Sequence, residues 1–388
     1  MSGSMANDSA GGDDNSRPDP RAHESRDPAA GVFEPGELAI ALSHYDLGVV
    51  HSIARFRRGS AATPKLLVTS DAGKFVLKRR ADEQSDPARI RFSHRLQTVL
   101  AEAGFPLPHL VGTRNDKRTL LRLGGRSYEL FRFLEGSKYN ASEEHTRLAG
   151  YALAMFHERA ATLDASDLPA VSTFHANPQT PYHLRDLDLP GHHHHELALR
   201  YEHAASAAQA TGLGSWPTQT IHGDWHPGNM LFQGDRLAAV IDYDTARPGP
   251  RALDLAAAAL QFSLTAGGPP ERWTASIDES RFVALLAGYE SHGAKHRRKP
   301  SAGLISRGEL RALPHLMIES LIAEVAAPIV STGRFGAHDA TTMLEAVHRK
   351  AGWLADNAQR LAAILDEPDA PPPATPGPHT AGVSAGGT

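Results

Sequence analysis

One stretch limits what this chain can be more than any other: Ile221-His222-Gly223-Asp224-Trp225-His226-Pro227-Gly228-Asn229-Met230-Leu231-Phe232. A polar turn, Gln233-Gly234-Asp235-Arg236, leads to an apolar run that delivers Val240-Ile241-Asp242-Tyr243-Asp244. Asn229 follows Asp224 by five positions, and Asp242 follows Asn229 by thirteen. Pro227-Gly228 bends the loop so that Asp224 and Asn229 can face one site. Leu231–Phe232 and Ala238–Ile241 read as two short strands that return Asp242 to that loop. The side-chain oxygens of Asn229 and Asp242 are hard ligands of the kind Mg²⁺ prefers. That ion usually takes one or two ligands from protein and the rest from phosphate and water.

These are the separations at which protein kinases place a catalytic-loop Asp, a metal-binding Asn and a second metal-binding Asp. Moving a γ-phosphoryl group needs little covalent help from protein. It needs an acceptor hydroxyl held in line and a metal ion on the phosphate oxygens. His-Gly-Asp-x-His-Pro-Gly-Asn followed by Ile-Asp-x-Asp resembles the aminoglycoside phosphotransferase superfamily, also called the phosphotransferase enzyme family. That family includes antibiotic, choline, homoserine and methylthioribose kinases and a bacterial stress-response protein kinase. The resemblance implies an α+β, two-lobe protein-kinase-like fold: a small antiparallel β-sheet lobe and a mainly helical lobe. It also implies ATP and Mg²⁺ as cofactors, Asp224 as the group that accepts the hydroxyl proton, and Asn229 and Asp242 as the metal pair.

The 388 residues suffice for one large or two ordinary domains. A net charge of −4 gives the whole molecule no pull toward nucleic acid or an anionic membrane. The chain has no cysteine, which excludes disulfides and Cys-zinc sites and fits a cytoplasmic setting. No apolar run approaches the roughly 20 residues of a membrane span, and the N-terminus lacks a basic-then-apolar leader. Residues 1–34 and 367–388, rich in small residues and proline, are expected to be disordered tails. The folded part then divides into a nucleotide-binding lobe, 35–136, and a helical catalytic and substrate lobe, 137–366.

In the first lobe a short helical stretch, Glu34–Tyr45, precedes strand-like runs at Gly48–Phe56, Leu66–Thr69 and Lys74–Lys78. Two-residue alternation sets Val76 and Lys78 on one face of the third run and Phe75 and Leu77 on the other. Phe75-Val76-Leu77-Lys78 resembles the strand that carries a kinase's phosphate-binding lysine, a point charge for ATP phosphates. In a kinase-like fold the turn between the first two runs, which contains Gly59, covers the phosphates. Residues 86–103 read as a helix with Ile90, Leu96, Val99 and Leu100 at helical spacing. Kinases carry a lysine-pairing Glu in its middle, where this chain has Phe92-Ser93-His94-Arg95 and offers Glu102 only at the end. Lys78 is then held by another acid or placed less firmly, and His94 lies near the phosphates or on the helix surface. Thr119–Leu123 and Ser127–Leu134 form a hairpin around Gly124-Gly125. The following segment resembles the family's hinge, with Phe131, Arg132 and Phe133 the range expected to meet the adenine edge and the lobe boundary near Gly136.

In the second lobe, Glu143–Leu163 carries Leu148, Ala152, Met155 and Phe156 on one face, with His157 a packed histidine. Residues 171–195 look irregular and contain His192-His193-His194-His195, expected on a helix or loop surface, with adventitious metal binding the alternative. Pro248–Pro250 reads as a tight loop before a helix starting near Arg251. Asp254, in that helix's first turn, is expected to brace the catalytic loop rather than react. Three more helices are expected near Asp278–Ser291, Arg307–Val330 and Asp339–Leu365. Glu319 and Glu324 on the second are candidates for a substrate amine. Three functions stay open on the sequence: a small-molecule O-kinase, a protein Ser/Thr kinase, and a nucleotide-binding protein with little catalysis. The acceptor and the oligomeric state are not legible.

Overall fold

The structure, a computed structural model, describes residues 33–56, 63–80, 86–165, 168, 172–265, 267–296 and 304–364. Gly59, residues 1–32 of the expected tail 1–34 and the whole expected tail 367–388 lie outside the described residues.

The first lobe runs α1 (Pro35–Ser43), β1 (Val50–Arg55), β2 (Lys65–Ser70), β3 (Gly73–Arg79), α2 (Pro87–Glu102), β4 (Leu121–Leu123) and β5 (Arg126–Arg132). The five strands form one antiparallel sheet in the order β1-β2-β3-β5-β4. The expected alternation holds: Phe75 and Leu77 are buried with Val68, Leu130, Tyr128 and Tyr45, while Lys78 lies on the opposite face. Register sets Lys78 directly across from Glu129. Asp86 caps α2 by accepting from the Ala88 N–H at 2.9 Å, and Pro87 opens the helix without losing a needed donor.

The second lobe contains α3 (Glu143–Ala160), α4 (Gln179–Arg185), α5 (His193–Ala210), β6 (Thr218–Ile221), β7 (Met230–Gln233), β8 (Arg236–Val240), β9 (Arg247–Pro250), α6 (Arg251–Ser263), α7 (Glu279–His296), α8 (Arg307–Thr332), β10 (Arg334–Phe335), β11 (His338–Asp339), α9 (Ala340–Asp356) and α10 (Ala358–Ala363). Its core joins Phe156, Trp225, Phe232, Leu255, Phe262, Leu286 and Ile322, so the helices enclose the two-stranded sheet β6–β9 and the hairpin β7–β8. An isolated bridge between Ser137 and Phe232 ties the start of this lobe to β7, just past the expected boundary at Gly136.

Helices α3 and α7 approach until backbone nearly meets backbone. A Cβ on Gly150 would stand 2.0 Å from the Leu285 carbonyl oxygen, and one on Gly288 would stand 2.0 Å from that of Arg147. Neither carbonyl can swing aside as a side chain can. Gly150→Ala is therefore expected to lower stability by about 2 kcal/mol through overpacking, read as a lower midpoint in chemical unfolding. An unchanged midpoint would mean that the two helices do not pack this closely.

Five expectations need correction. Residues 179–185 of the supposedly irregular segment form α4. The four-histidine run caps and opens α5 with His192 and His195 on the surface as expected, but His194 is buried. The Pro248–Pro250 loop is strand β9, paired with β6; a two-stranded ribbon has an open side on which prolines lack no partner. The last helix breaks at Asn357 into α9 and α10. Finally, α8 is long and apolar enough to cross a membrane, with a mean hydropathy of 1.5 over its best window. Here it serves as a core helix, burying Leu313, Leu316, Met317, Ile318 and Ile322.

Candidate active site

The loop after β6 is fixed by Asp254 from the first turn of α6. Its two carboxylate oxygens accept the backbone N–H groups of His222 at 2.6 Å and Gly223 at 2.8 Å. His157 Nε2 lies 3.2 Å from the same carboxylate, and its Nδ1 lies 2.8 Å from the Tyr289 hydroxyl. Burial pushes the Asp254 carboxyl up, but these hydrogen bonds and the neighbouring imidazoles hold it below the usual carboxylate range. It is the brace expected from its place in the helix, and His157 is the packed histidine expected beside it. Gly223 has φ +78°, and a Cβ there would stand 2.6 Å from the Thr245 carbonyl oxygen. Only glycine fits this crossing of the loop and the segment after Asp242. His222 is wholly buried among Phe156, Trp225 and Tyr243, and burial pushes its pKa below the ordinary histidine value.

The structure brings Asp224, Asn229 and Asp242 together. Asn229 Nδ2 donates to the Asp224 backbone oxygen at 3.0 Å and to its Oδ2 at 3.1 Å. Its amide oxygen is thereby turned away from Asp224. Gly228 N–H donates to His226 Nδ1 at 3.0 Å, which leaves the proton on Nε2, 3.6 Å from Asp224 Oδ2. The Ile241 N–H donates to the Asn229 carbonyl at 2.9 Å and sets Asp242 beside it. Asp242 itself has φ +68°, a left-handed conformation that Asp tolerates better than most residues. The donors are hard oxygens on two adjacent elements, a set that suits Mg²⁺.

Lys78 reaches across from β3. Its Nζ lies 2.8 Å from Asp244 Oδ2 and 3.7 Å from Glu129 Oε2. Arg80 joins the same two acids, at 2.5 Å to Glu129 and 2.9 Å to Asp244. Two cations and two carboxylates thus neutralise one another under little solvent. Burial opposes the Lys78 charge, but Asp244 and Glu129 hold its pKa above the ordinary lysine value. Both acids sit below the carboxylate range, because Lys78 and Arg80 outweigh their burial.

The absent mid-helix Glu is thereby explained. His94, from the middle of α2, is buried and places Nε2 2.7 Å from Glu129, with Nδ1 2.7 Å from the Thr119 hydroxyl. The helix contributes a histidine that holds a strand glutamate, and the glutamate faces the lysine. His94 is therefore buried and not on the helix surface. Glu102 plays no part in this network. The missing Glu, the one feature that favoured a binding protein over an enzyme, is compensated. Glu129→Gln is expected to cost about 3 kcal/mol of stability, as when one partner of a buried ion pair is removed, and to raise the KM for ATP. Unfolding curves and steady-state kinetics check both; unchanged values in both would remove Glu129 from the account.

Backbone donors in the range expected at the hinge are already engaged. The N–H of Arg132 donates to the His109 carbonyl at 2.9 Å, and that of Phe133 to the Lys74 carbonyl at 3.0 Å. Phe131 stands opposite Val76 in the β3–β5 ladder. Sheet pairing thus occupies this backbone, and among the described residues the N–H groups of Leu134 and Glu135 make no hydrogen bond. Glu319 is not placed for a substrate either. It is fully buried and accepts from His175 Nδ1 at 2.9 Å and the Ala176 N–H at 2.8 Å. Glu324 is hydrogen-bonded to Gln261. Asp244, Glu129 and Arg80 are functional residues that sequence reasoning missed. Their signal was present: Asp244 shares a motif with Asp242, and Arg80 follows Lys78 by two on the same strand face.

The phosphotransferase enzyme family model matches residues 52–300. The homoserine kinase of Pseudomonas aeruginosa is 32% identical over 269 residues, 66% of this chain and 78% of that protein. The homoserine kinase of Caulobacter sp. is 29% identical over 287 residues, 72% of this chain and 81% of that protein. Among solved structures, an aminoglycoside phosphotransferase from Alicyclobacillus acidocaldarius superposes with a TM-score of 0.59 at 20% identity, covering 84% of this chain and 94% of that one. A microcompartment-associated aminopropanol kinase superposes with a TM-score of 0.59 at 17% identity, covering 86% of this chain and 98% of that one. With that match spanning most of the described fold, the chain belongs to the phosphotransferase enzyme family as an ATP-dependent kinase of small-molecule hydroxyl groups.

Proposed function

We propose that this kinase phosphorylates the hydroxyl of a small amino acid or amino alcohol of the homoserine type, with Mg²⁺ and in the cytoplasm where ATP is supplied. The acceptor class rests on the relatives: homoserine kinases from several bacteria align with about two thirds of the chain, for example 263 residues in the Sinorhizobium fredii enzyme. The observation that carries the mechanism is the placement of Asp224 by Asn229, with Asp242 delivered to the same loop.

In this reading the Asn229 amide oxygen and the Asp242 carboxylate would hold Mg²⁺, which when bound would supply positive charge for the phosphate oxygens. Lys78 grips the nucleotide phosphates as a point charge. It exchanges Asp244 for phosphate while Glu129, whose Oε2 makes no hydrogen bond among the described residues, keeps it in place through their ion pair. The backbone of Leu134–Gly136 meets the adenine edge, and Val76, on the Lys78 face of β3, lines the ring. Asp224 accepts the acceptor's hydroxyl proton as that oxygen bonds to the γ-phosphorus and the bond to the departing ADP oxygen breaks.

The test is acceptor-dependent ATP consumption across homoserine, other amino acids and amino alcohols, sugars and aminoglycosides. Homoserine-type acceptors are expected to give the highest kcat/KM. A sugar or aminoglycoside preferred by about tenfold or more would overturn the acceptor class and leave phosphotransfer standing.

A further inference from the structure

The first turn of α5 and the middle of α9 bring three metal-ligating side chains together, none of them part of the ATP site. His193 and Glu196 lie three residues apart on one helix, hence on one face. His348 comes from α9. Glu196 Oε2 is 2.9 Å from His348 Nε2 and 3.5 Å from His193 Nδ1. The two imidazole rings are 4.8 Å apart between centroids, and the ligating atoms of all three residues lie within 4.8 Å of one another. A tetrahedral zinc ion with bonds near 2.0–2.1 Å needs neighbouring ligand atoms about 3.3 Å apart. The two distances to Glu196 bracket that value.

A second observation points the same way. His193 Nδ1 is enclosed, yet it makes no hydrogen bond among the described residues. An enclosed imidazole nitrogen without a hydrogen bond is costly unless a ligand takes it up. Glu196 and His348 also line a cavity of about 570 Å³ between α5, α8 and α9, together with Arg200, His203 and His315. A metal held by the three residues thus has an open fourth position facing the cavity, where Arg200 favours an anionic occupant.

We propose that His193, Glu196 and His348 form a transition-metal site of the zinc class that clamps α5 to α9. Two imidazoles and one carboxylate select zinc-like ions over Mg²⁺, which favours all-oxygen sets. The inference is independent of the chemistry proposed at the ATP site.

The test uses the full chain, stripped by chelator and titrated with Zn²⁺ alone. Isothermal titration calorimetry is expected to show one tight site, and Zn²⁺ to raise the melting temperature, because binding favours the folded state. His348→Ala and Glu196→Gln should each weaken binding by more than the about 10–100-fold that loss of a mere supporting partner costs. The neighbouring histidines provide the control: the double variant His192→Ala/His195→Ala should bind as the parent does. Binding lost in that double variant but kept in His348→Ala would show adventitious capture by the histidine run and overturn the site. No Zn²⁺ uptake by the parent chain would do the same. Should His348→Ala fail to fold, Glu196→Gln carries the test, because that side chain is half exposed.

Discussion

Replacing Asp242 by Asn is expected to lower magnesium-dependent ATP turnover by about 10²-fold or more while leaving the melting temperature unchanged. The size follows from removing a charged ligand from an ion that stabilises developing charge in phosphoryl transfer. The unchanged fold follows from the backbone. Asp242 sits at φ +68°, and Asn tolerates that conformation as readily as Asp does. The Ile241–Asn229 backbone bond that places it is untouched by the substitution. Turnover measured across a Mg²⁺ titration checks this. A variant that matches the parent at limiting Mg²⁺ would show that Asp242 is not a metal ligand.

The second large effect belongs to Asp224. Asp224→Asn should lower kcat by roughly 10²–10⁴, the usual worth of a positioned general base, and leave ATP–Mg²⁺ affinity within a few-fold. An amide at this position keeps an oxygen for the Asn229 Nδ2 donor, so the loop geometry survives. It cannot take a proton. His226, whose Nε2 lies 3.6 Å from Asp224 Oδ2, does not substitute, because its Nδ1 is tied to the Gly228 N–H and its outward nitrogen already carries the proton. Single-turnover rates with saturating ATP separate the chemical step from binding. Loss of ATP affinity with an unchanged chemical step would reverse the assignment.

The catalytic loop was readable in the sequence because its chemistry is local. Asp224, Asn229 and Asp242 are set by a tight turn and one short hairpin, so spacing alone nearly fixes their juxtaposition. The strand face of Lys78 was equally readable, because alternation on β3 admits only one choice. The partners of Lys78 were not. Glu129 meets it through the register of β3 on β5, and Asp244 through the closure of one lobe on the other; both are long-range facts that periodicity does not encode. His94 illustrates the point. Its position in α2 was evident, but its role appears only once Glu129 stands behind it. For a related reason, the sequence does not show that the ladder and the His109 carbonyl occupy backbone donors in the range expected at the hinge. Pro248 and Pro250 suggested a loop because the rule against proline in strands is weaker for a two-stranded ribbon.

The central claim is that this chain transfers the γ-phosphoryl group of ATP to a small hydroxyl compound. The most direct measurement is to follow a labelled γ-phosphate during turnover with homoserine and related amino alcohols, in parent and Asp224→Asn proteins. The account predicts label on the acceptor oxygen with the parent and at least about 10²-fold slower labelling with the variant. Label appearing only as inorganic phosphate, at the same rate with and without any acceptor and in both proteins, would contradict it.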